Sequence, residues 1–291
     1  VSAAGTTDSG TPSTTWEDAV RTLLADEGSA QLARDCYYDG TPLEAARRYA
    51  ASDEWIALRG MLPAPGGEAL DLGAGRGIAS YALASAGWRV TAVEPDPSGL
   101  VGAGAIESIA RDTGLPITVV RTTGERMPLP DASVDVVFAR QALHHAADLR
   151  ALCREVARVL RPGGTLLAAR EHVISKPADL PAFLAAHPLH RLYGGENAYT
   201  LAQYRGALEA AGLRVDACVG AFESVVNYAP YTLATLRDAI GERLRRLPAG
   251  GVAAAVLLSD AAFPRVLRIA NALDRRPGRL YTFVCRRAAG S

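Results

Sequence analysis

All five histidines of the chain, His144, His145, His172, His187 and His190, fall within one stretch, and Glu171 stands directly before the third of them. Imidazole takes up and releases a proton near neutrality, so a histidine and a carboxylate brought together can deprotonate a hydroxyl, an ammonium or an activated carbon. The expected catalytic groups are therefore Glu171, His144, His145 and His172. Consecutive residues of a regular element point in different directions, so His145 is expected to face away from a ligand that His144 meets. His187 and His190 sit three apart without a nearby cysteine or carboxylate to complete a metal set, so no metal is expected and both are read as pocket lining.

A second constellation lies upstream, in Asp71-Leu72-Gly73-Ala74-Gly75-Arg76-Gly77. Glycines here mark the place where a strand turns sharply and a helix begins close to a ligand. The spacing is GxGxG, and Ile78 stands where the dinucleotide fingerprint needs glycine or alanine. A phosphate-binding Gly-Lys-Ser/Thr is also missing. Glu94 follows Asp71 by 23 residues, at the end of the next strand, where an acid can accept both hydroxyls of a ribose. A ribosyl ligand without a pyrophosphate fits both observations.

Positioning these groups requires alternating strands and helices. Short β-type runs at 69–72, 89–93, 117–120, 134–138 and 165–169 alternate with helical patterns near 77–86, 98–112 and 147–160. That alternation predicts an α/β fold, a three-layer Rossmann-like sandwich whose ligand crevice lies at the C-terminal ends of parallel strands. A helix near 200–211 and strands at 213–219 and 280–286 complete a seven-stranded, mostly parallel sheet with an antiparallel last strand. The expected divisions are a disordered tail (1–15), an N-terminal helical lid (16–62), the core (63–223), a helical cap insertion (224–278) and the last strand with a C-terminal tail (279–291). The Pro-Ala-Pro-Gly-Gly stretch at 63–67 marks the handover from lid to core.

Composition narrows the function. The 291 residues are 49% hydrophobic, enough for a large core, and 31 basic residues balance 31 acidic ones. No global field recruits nucleic acid or an anionic membrane, so neither is an expected partner. The longest notable apolar run, 252–258, is far short of a membrane span, and the polar start lacks a signal peptide's pattern, so a cytoplasmic protein is expected. Four scattered cysteines form no CxxC pair and are expected to be reduced thiols. Residues 1–62 carry 10 acidic and 5 basic residues, and 224–278 carry 4 and 8, which suggests lid and cap facing one another, with solvated helix faces as the alternative.

The stretch EALDLGAGRGIASYALASAGWRVTAVEPD resembles the first two motifs of class I S-adenosylmethionine-dependent methyltransferases. TGERMPLPDASVDVVFARQALHH and VLRPGGTLLAAREH extend the resemblance over roughly 67–172, with four motifs in order. It implies S-adenosyl-L-methionine as cofactor, with Asp71 and the loop Gly73, Ala74, Gly75 and Gly77 facing its methionine portion. Glu94 grips the ribose, followed by Pro95, while Thr123, Gly124 and Glu125 border the adenine and Arg140 joins the cofactor contacts. Thr123 departs from the pattern, since relatives often have aspartate there. Tyr37, Tyr38, Tyr49, His190, Tyr193 and Asn197 are the expected acceptor contacts, the last in a glycine-hinged stretch, His190 to Tyr199, that reads as a closing loop.

The resemblance implies methyl transfer to an oxygen, nitrogen or carbon of a small molecule, in bacterial specialised-metabolite (antibiotic-type) biosynthesis, with a Glu/His base. Two alternatives stand beside it: carbon methylation of a prenyl diphosphate or other anionic acceptor, and a non-catalytic cofactor-binding protein. The missing Asn/Asp-Pro-Pro-aromatic motif, with Arg140-Gln141-Ala142-Leu143 in its place, disfavours a macromolecular acceptor. Monomer and homodimer are both left open.

Overall fold

The computed structural model describes residues 15–248 and 250–289. The expected tail lies outside them but for Thr15, whose side chain and Asp18 form a reciprocal cap on the helix Trp16–Ala25.

The strands are β1 (Glu68–Leu72), β2 (Arg89–Val93), β3 (Ile117–Val120), β4 (Val134–Arg140), β5 (Leu160–Ile174), β6 (Tyr199–Thr200), β7 (Leu213–Val219) and β8 (Arg279–Arg287). They form one sheet in the order β3-β2-β1-β4-β5-β8-β7, with the two-residue β6 beside the far end of β5. The expected seven-stranded path is present, and β6 is an addition too short to show a period. β1 to β5 pair in parallel, whereas β8 runs antiparallel to both β5 and β7. A parallel strand needs a helical crossover and an antiparallel one does not, so the chain from β7 to β8 begins and ends on the ligand side of the sheet.

The central strands are buried on both faces, which explains their nearly unbroken apolar runs. Leu70, Leu72, Val137, Leu166 and Ala168 point to one face, with the helices Leu149–Val159 and Leu201–Ala210 over them. Ala69, Val136, Phe138, Leu167 and Ala169 point to the other, covered by the helices Ile78–Ser85 and Ala103–Thr113.

The expected lid divides in two. Helices Pro42–Ala50 and Asp53–Arg59 bury Ala45, Ala46, Tyr49, Trp55 and Leu58 in that second face and are part of the core layer. Only the segment before them reaches the cavity. The insertion before β8 forms the helices Val225–Tyr228, Leu233–Arg245, Gly250–Leu257 and Phe263–Leu273, around a small core of Leu236, Phe263 and Leu267. Two of its eight arginines pair within it, Arg237 with Asp260 and Arg276 with Asp274. Among the described residues no ion pair joins it to 15–62, so the opposite charges of the two segments belong to solvated helix faces.

Candidate active site

Three glycines make the turn after β1. Gly73 has φ +65°, and a Cβ on it would lie 2.9 Å from the Ala142 Cβ. Gly77, at φ +84°, caps the helix Ile78–Ser85 with 3.0 Å to Ile106. The Gly75 N–H donates to Glu94 Oε2 at 2.7 Å, and the Asp96 N–H donates to Glu94 Oε1 at 2.9 Å. Burial pushes the Glu94 carboxyl up to about 7, against the pull of those two N–H groups. Asp71 is turned away from solvent and accepts the Ser80 hydroxyl at 2.6 Å, with its pKa pushed up to about 6 by burial. It ties helix to strand.

A cavity of about 500 Å³ runs from Gly73, Glu94, Pro95 and Asp96 to His144, His145, His172 and His187. Arg140, Gln141 and Ala142 form its floor, while Trp16, Cys36, Tyr38 and the 193–196 segment close over it. The roof is held by aromatic edges, Trp16 lying 5.9 Å from Tyr38 and 5.4 Å from Tyr193 between ring centroids. It is also held from below, because Arg76 in the glycine turn donates to the carbonyls of Tyr37 at 2.6 Å and Gly40 at 3.0 Å.

Glu171 does not face the cavity. β5 is bulged where its register with β8 breaks between Ala168 and Glu171, and Arg170 there has φ +61°. Glu171 is fully buried, with Oε1 accepting the N–H of Ala142 and of Leu143, both at 3.1 Å. Its Oε2 accepts the His144 N–H at 3.1 Å and faces His144 Nδ1 at 2.7 Å. Burial pushes the His144 imidazole down, but Glu171 and Glu196 outweigh it and raise its pKa to about 9. His172 responds to burial alone in the main and falls to about 3.

His144 and His145 belong to a single 3-10 turn, Leu143–His145, and both line the cavity, contrary to the expectation that His145 turns away. The irregular turn brings their ring centroids within 4.2 Å. The expectation that His187 lacks a carboxylate partner is also corrected: Glu196 Oε1 lies 3.9 Å from its Nδ1. Glu196 Oε2 lies 3.4 Å from His144 Nε2 and 4.0 Å from His145 Nε2. Burial raises the Glu196 carboxyl, and three imidazoles overcome it and lower the pKa to about 2. In the sequence Glu196 is one polar residue of a glycine-hinged loop and carries no motif of its own. Its place in the first carboxylate position after the histidine pair 187/190 is the one signal for it.

Other expected contacts are placed elsewhere. Ala74, Gly75 and Gly77 shape the turn without lining the cavity. Thr123 is exposed, Glu125 accepts the Ala147 N–H at 3.0 Å, and a Cβ on Gly124 would strike Leu152 at 2.5 Å, so this stretch packs against the core. Tyr49 is fully buried, and Tyr37 lines a separate hollow with Arg34, Arg48 and Arg170. His190 and Asn197 do not line the cavity, whereas Tyr38 and Tyr193 do. Arg140 reaches the floor, but its guanidinium is held by the buried Glu54 at 2.6 and 3.1 Å and by Gln141 at 3.0 Å.

Residues 70–168 match a family model described as a methyltransferase domain. The chain is 40% identical over 112 residues to an uncharacterised methyltransferase of Mycobacterium avium, covering 38% of this chain and 42% of that one. It is 31% identical over 150 residues to a ubiquinone biosynthesis O-methyltransferase of Methylobacterium nodulans, covering 50% and 59% respectively. The chain thus spans less than two thirds of either curated relative. A solved S-adenosylmethionine-dependent methyltransferase from Mesorhizobium loti superposes with a TM-score of 0.53 at 21% identity, over 82% of this chain and all of that one, and so shares the fold. Among the described residues no helix is long and apolar enough to cross a membrane.

Proposed function

We propose that the protein, whose residues 70–168 match a methyltransferase-domain model, is a class I S-adenosylmethionine-dependent methyltransferase that moves a methyl group from this cofactor to a small acceptor bound against the histidines. The observation that carries the reading is continuity: one cavity joins Gly73 and Glu94 to four imidazoles. S-adenosylmethionine supplies an electrophilic methyl group on a sulfonium. Glu94 keeps lone pairs for ribose hydroxyls beyond the two N–H bonds it accepts, and Gly73 in the cavity wall allows close approach to backbone, so the cradle fits the cofactor. A volume of about 500 Å³ lies within the range of sites for small molecules.

Alignment and exclusion of water carry much of such a displacement. Here the roof segments supply the exclusion and the imidazole wall faces the acceptor. Glu171 is a positioning residue in this reading, since its oxygens are filled by three N–H groups and His144. The floor also bears on acceptor charge. The one arginine in the cavity lining is committed to Glu54, and the insertion's arginines do not line it, which favours a neutral hydroxyl-bearing acceptor over a diphosphate.

Incubating the chain with methyl-labelled S-adenosylmethionine and metabolite extracts, then identifying the labelled product, tests the proposal. A small labelled metabolite supports it. Calorimetric binding of S-adenosylhomocysteine without a labelled product from any extract would mean a non-catalytic binding protein.

A further inference from the structure

Three of the four imidazoles in the cavity wall have Nδ1 committed to an acceptor. His144 faces the Glu171 carboxylate at 2.7 Å, His145 the Gly195 carbonyl at 3.0 Å and His172 the Gly278 carbonyl at 3.1 Å. A carbonyl or carboxylate oxygen takes a hydrogen, so each Nδ1 donates, and once the ring is neutral each Nε2 presents a lone pair. Histidines that ligate metal ions are oriented by this same arrangement.

Two of those Nε2 atoms converge on one oxygen. Glu196 Oε2 lies 3.4 Å from His144 Nε2 and 4.0 Å from His145 Nε2, and it is buried without a hydrogen-bond donor. Two imidazole nitrogens and a carboxylate oxygen without a hydrogen-bond partner converge there, and a divalent cation that displaces the His144 Nε2 proton would satisfy all three. Zinc holds imidazole nitrogen and carboxylate oxygen at about 2.0–2.2 Å, which sets tetrahedral ligand atoms about 3.3 Å apart. The two separations to Glu196 lie within about 1 Å of that value, and all three ligand atoms lie within 4.8 Å of one another.

We propose that His144, His145 and Glu196 bind one divalent transition-metal ion of the zinc class, with a coordination position open to the cavity. Two imidazoles and one carboxylate match catalytic zinc sites in ligand type and number. The half-exposed His145 gives the ion an entry path. A second trio, His172, His187 and Glu196, shares the carboxylate. In it the His187 Nδ1 already accepts the His190 N–H at 3.3 Å, so the first trio offers the freer atoms. An acceptor hydroxyl or enol oxygen would fill the open position, a corollary that rests on the methyl-transfer reading.

The test uses the whole chain, stripped with a chelator and titrated with Co²⁺ and with Zn²⁺. One Co²⁺ per chain with the visible absorption of a four-coordinate nitrogen and oxygen site is expected, and calorimetry should show equimolar Zn²⁺ uptake. Glu196→Gln and His145→Gln should each weaken binding by about tenfold or more, while His187→Gln should leave it within about twofold. No stoichiometric uptake, uptake unchanged in Glu196→Gln, or loss in His187→Gln but not in His145→Gln would each overturn the site. Stoichiometric cobalt upholds it even in a chain that does not bind S-adenosylhomocysteine, a failure that counts against methyl transfer alone.

Discussion

Glu94 joins a buried carboxylate to a ligand-facing edge, and this couples its ionisation to binding. A carboxylate accepts two ribose hydroxyls, while its protonated form loses one acceptor. With a pKa near 7, the acceptor form predominates above neutrality and shrinks below it. S-adenosylhomocysteine affinity should therefore fall by about tenfold between pH 8 and pH 6 by calorimetry. The slope should vanish in Glu94→Gln, and a flat wild-type profile would remove Glu94 from the ribose. Glu171 makes a different prediction. In Glu171→Gln an amide NH₂ faces the His144 N–H and Nδ1, so donors meet donors in a buried site. The cost should be about 3 kcal/mol in urea unfolding, with turnover lost and cofactor affinity kept within about twofold. Unchanged stability would show that the carboxylate does not hold His144. At this scale the sequence is informative where a residue answers a local demand. Gly73 and Gly77 are legible because positive φ and crowding are met by glycine alone. The role of Glu171 was not, since a bulge at Arg170 decides which way it points.

At the scale of elements, the strands were legible because each is a short apolar run between turn residues, and β2, β3 and β7 match their expected spans. What could not be read was which face of the N-terminal helices meets what. Helical spacing places Tyr49 and Trp55 on helices without naming their partners, and Tyr49, expected against an acceptor, packs instead in the layer with the helix Ile78–Ser85. The roof over the cavity depends on a contact of this kind. Arg76 reaches from the glycine turn to two carbonyls 36 and 39 residues earlier, and so ties the roof to the cofactor cradle. Charged hydrogen bonds of this sort contribute about 1.5–3 kcal/mol each. Arg76→Ala should speed S-adenosylhomocysteine dissociation by about tenfold or more in stopped-flow measurements, with a smaller change in association. Equal dissociation rates would mean that the roof stands without that tether.

Across the whole molecule, three parts of the chain meet at Glu54. It lies in the N-terminal helices, pairs with Arg140 at the end of β4 at 2.6 Å, and stands 3.7 Å from Arg170 in the β5 bulge. Arg170 in turn donates to the carbonyls of Val226 at 2.5 Å and Ala229 at 3.0 Å, in the first turns of the insertion. The N-terminal segment, the sheet and the insertion are thus joined through one buried carboxylate, directly beneath the cavity floor. Burial raises the Glu54 carboxyl, but Arg140 and Arg170 outweigh it and hold its pKa below the ordinary value. A carboxyl depressed in the folded state adds stability above its unfolded pKa of 4.5, and that stability is lost as pH falls through the lower folded value. Glu54→Gln leaves two guanidinium groups without their charge partner. It should cost about 3–5 kcal/mol at pH 7 in urea unfolding, and the gap to wild type should narrow steadily below pH 4.5. The same variant should also weaken cofactor binding, because the Arg140 side chain that floors the cavity loses its anchor. A constant gap from pH 7 to pH 3 would assign the cost to packing, and the three parts would then be joined by apolar contact rather than by this charge.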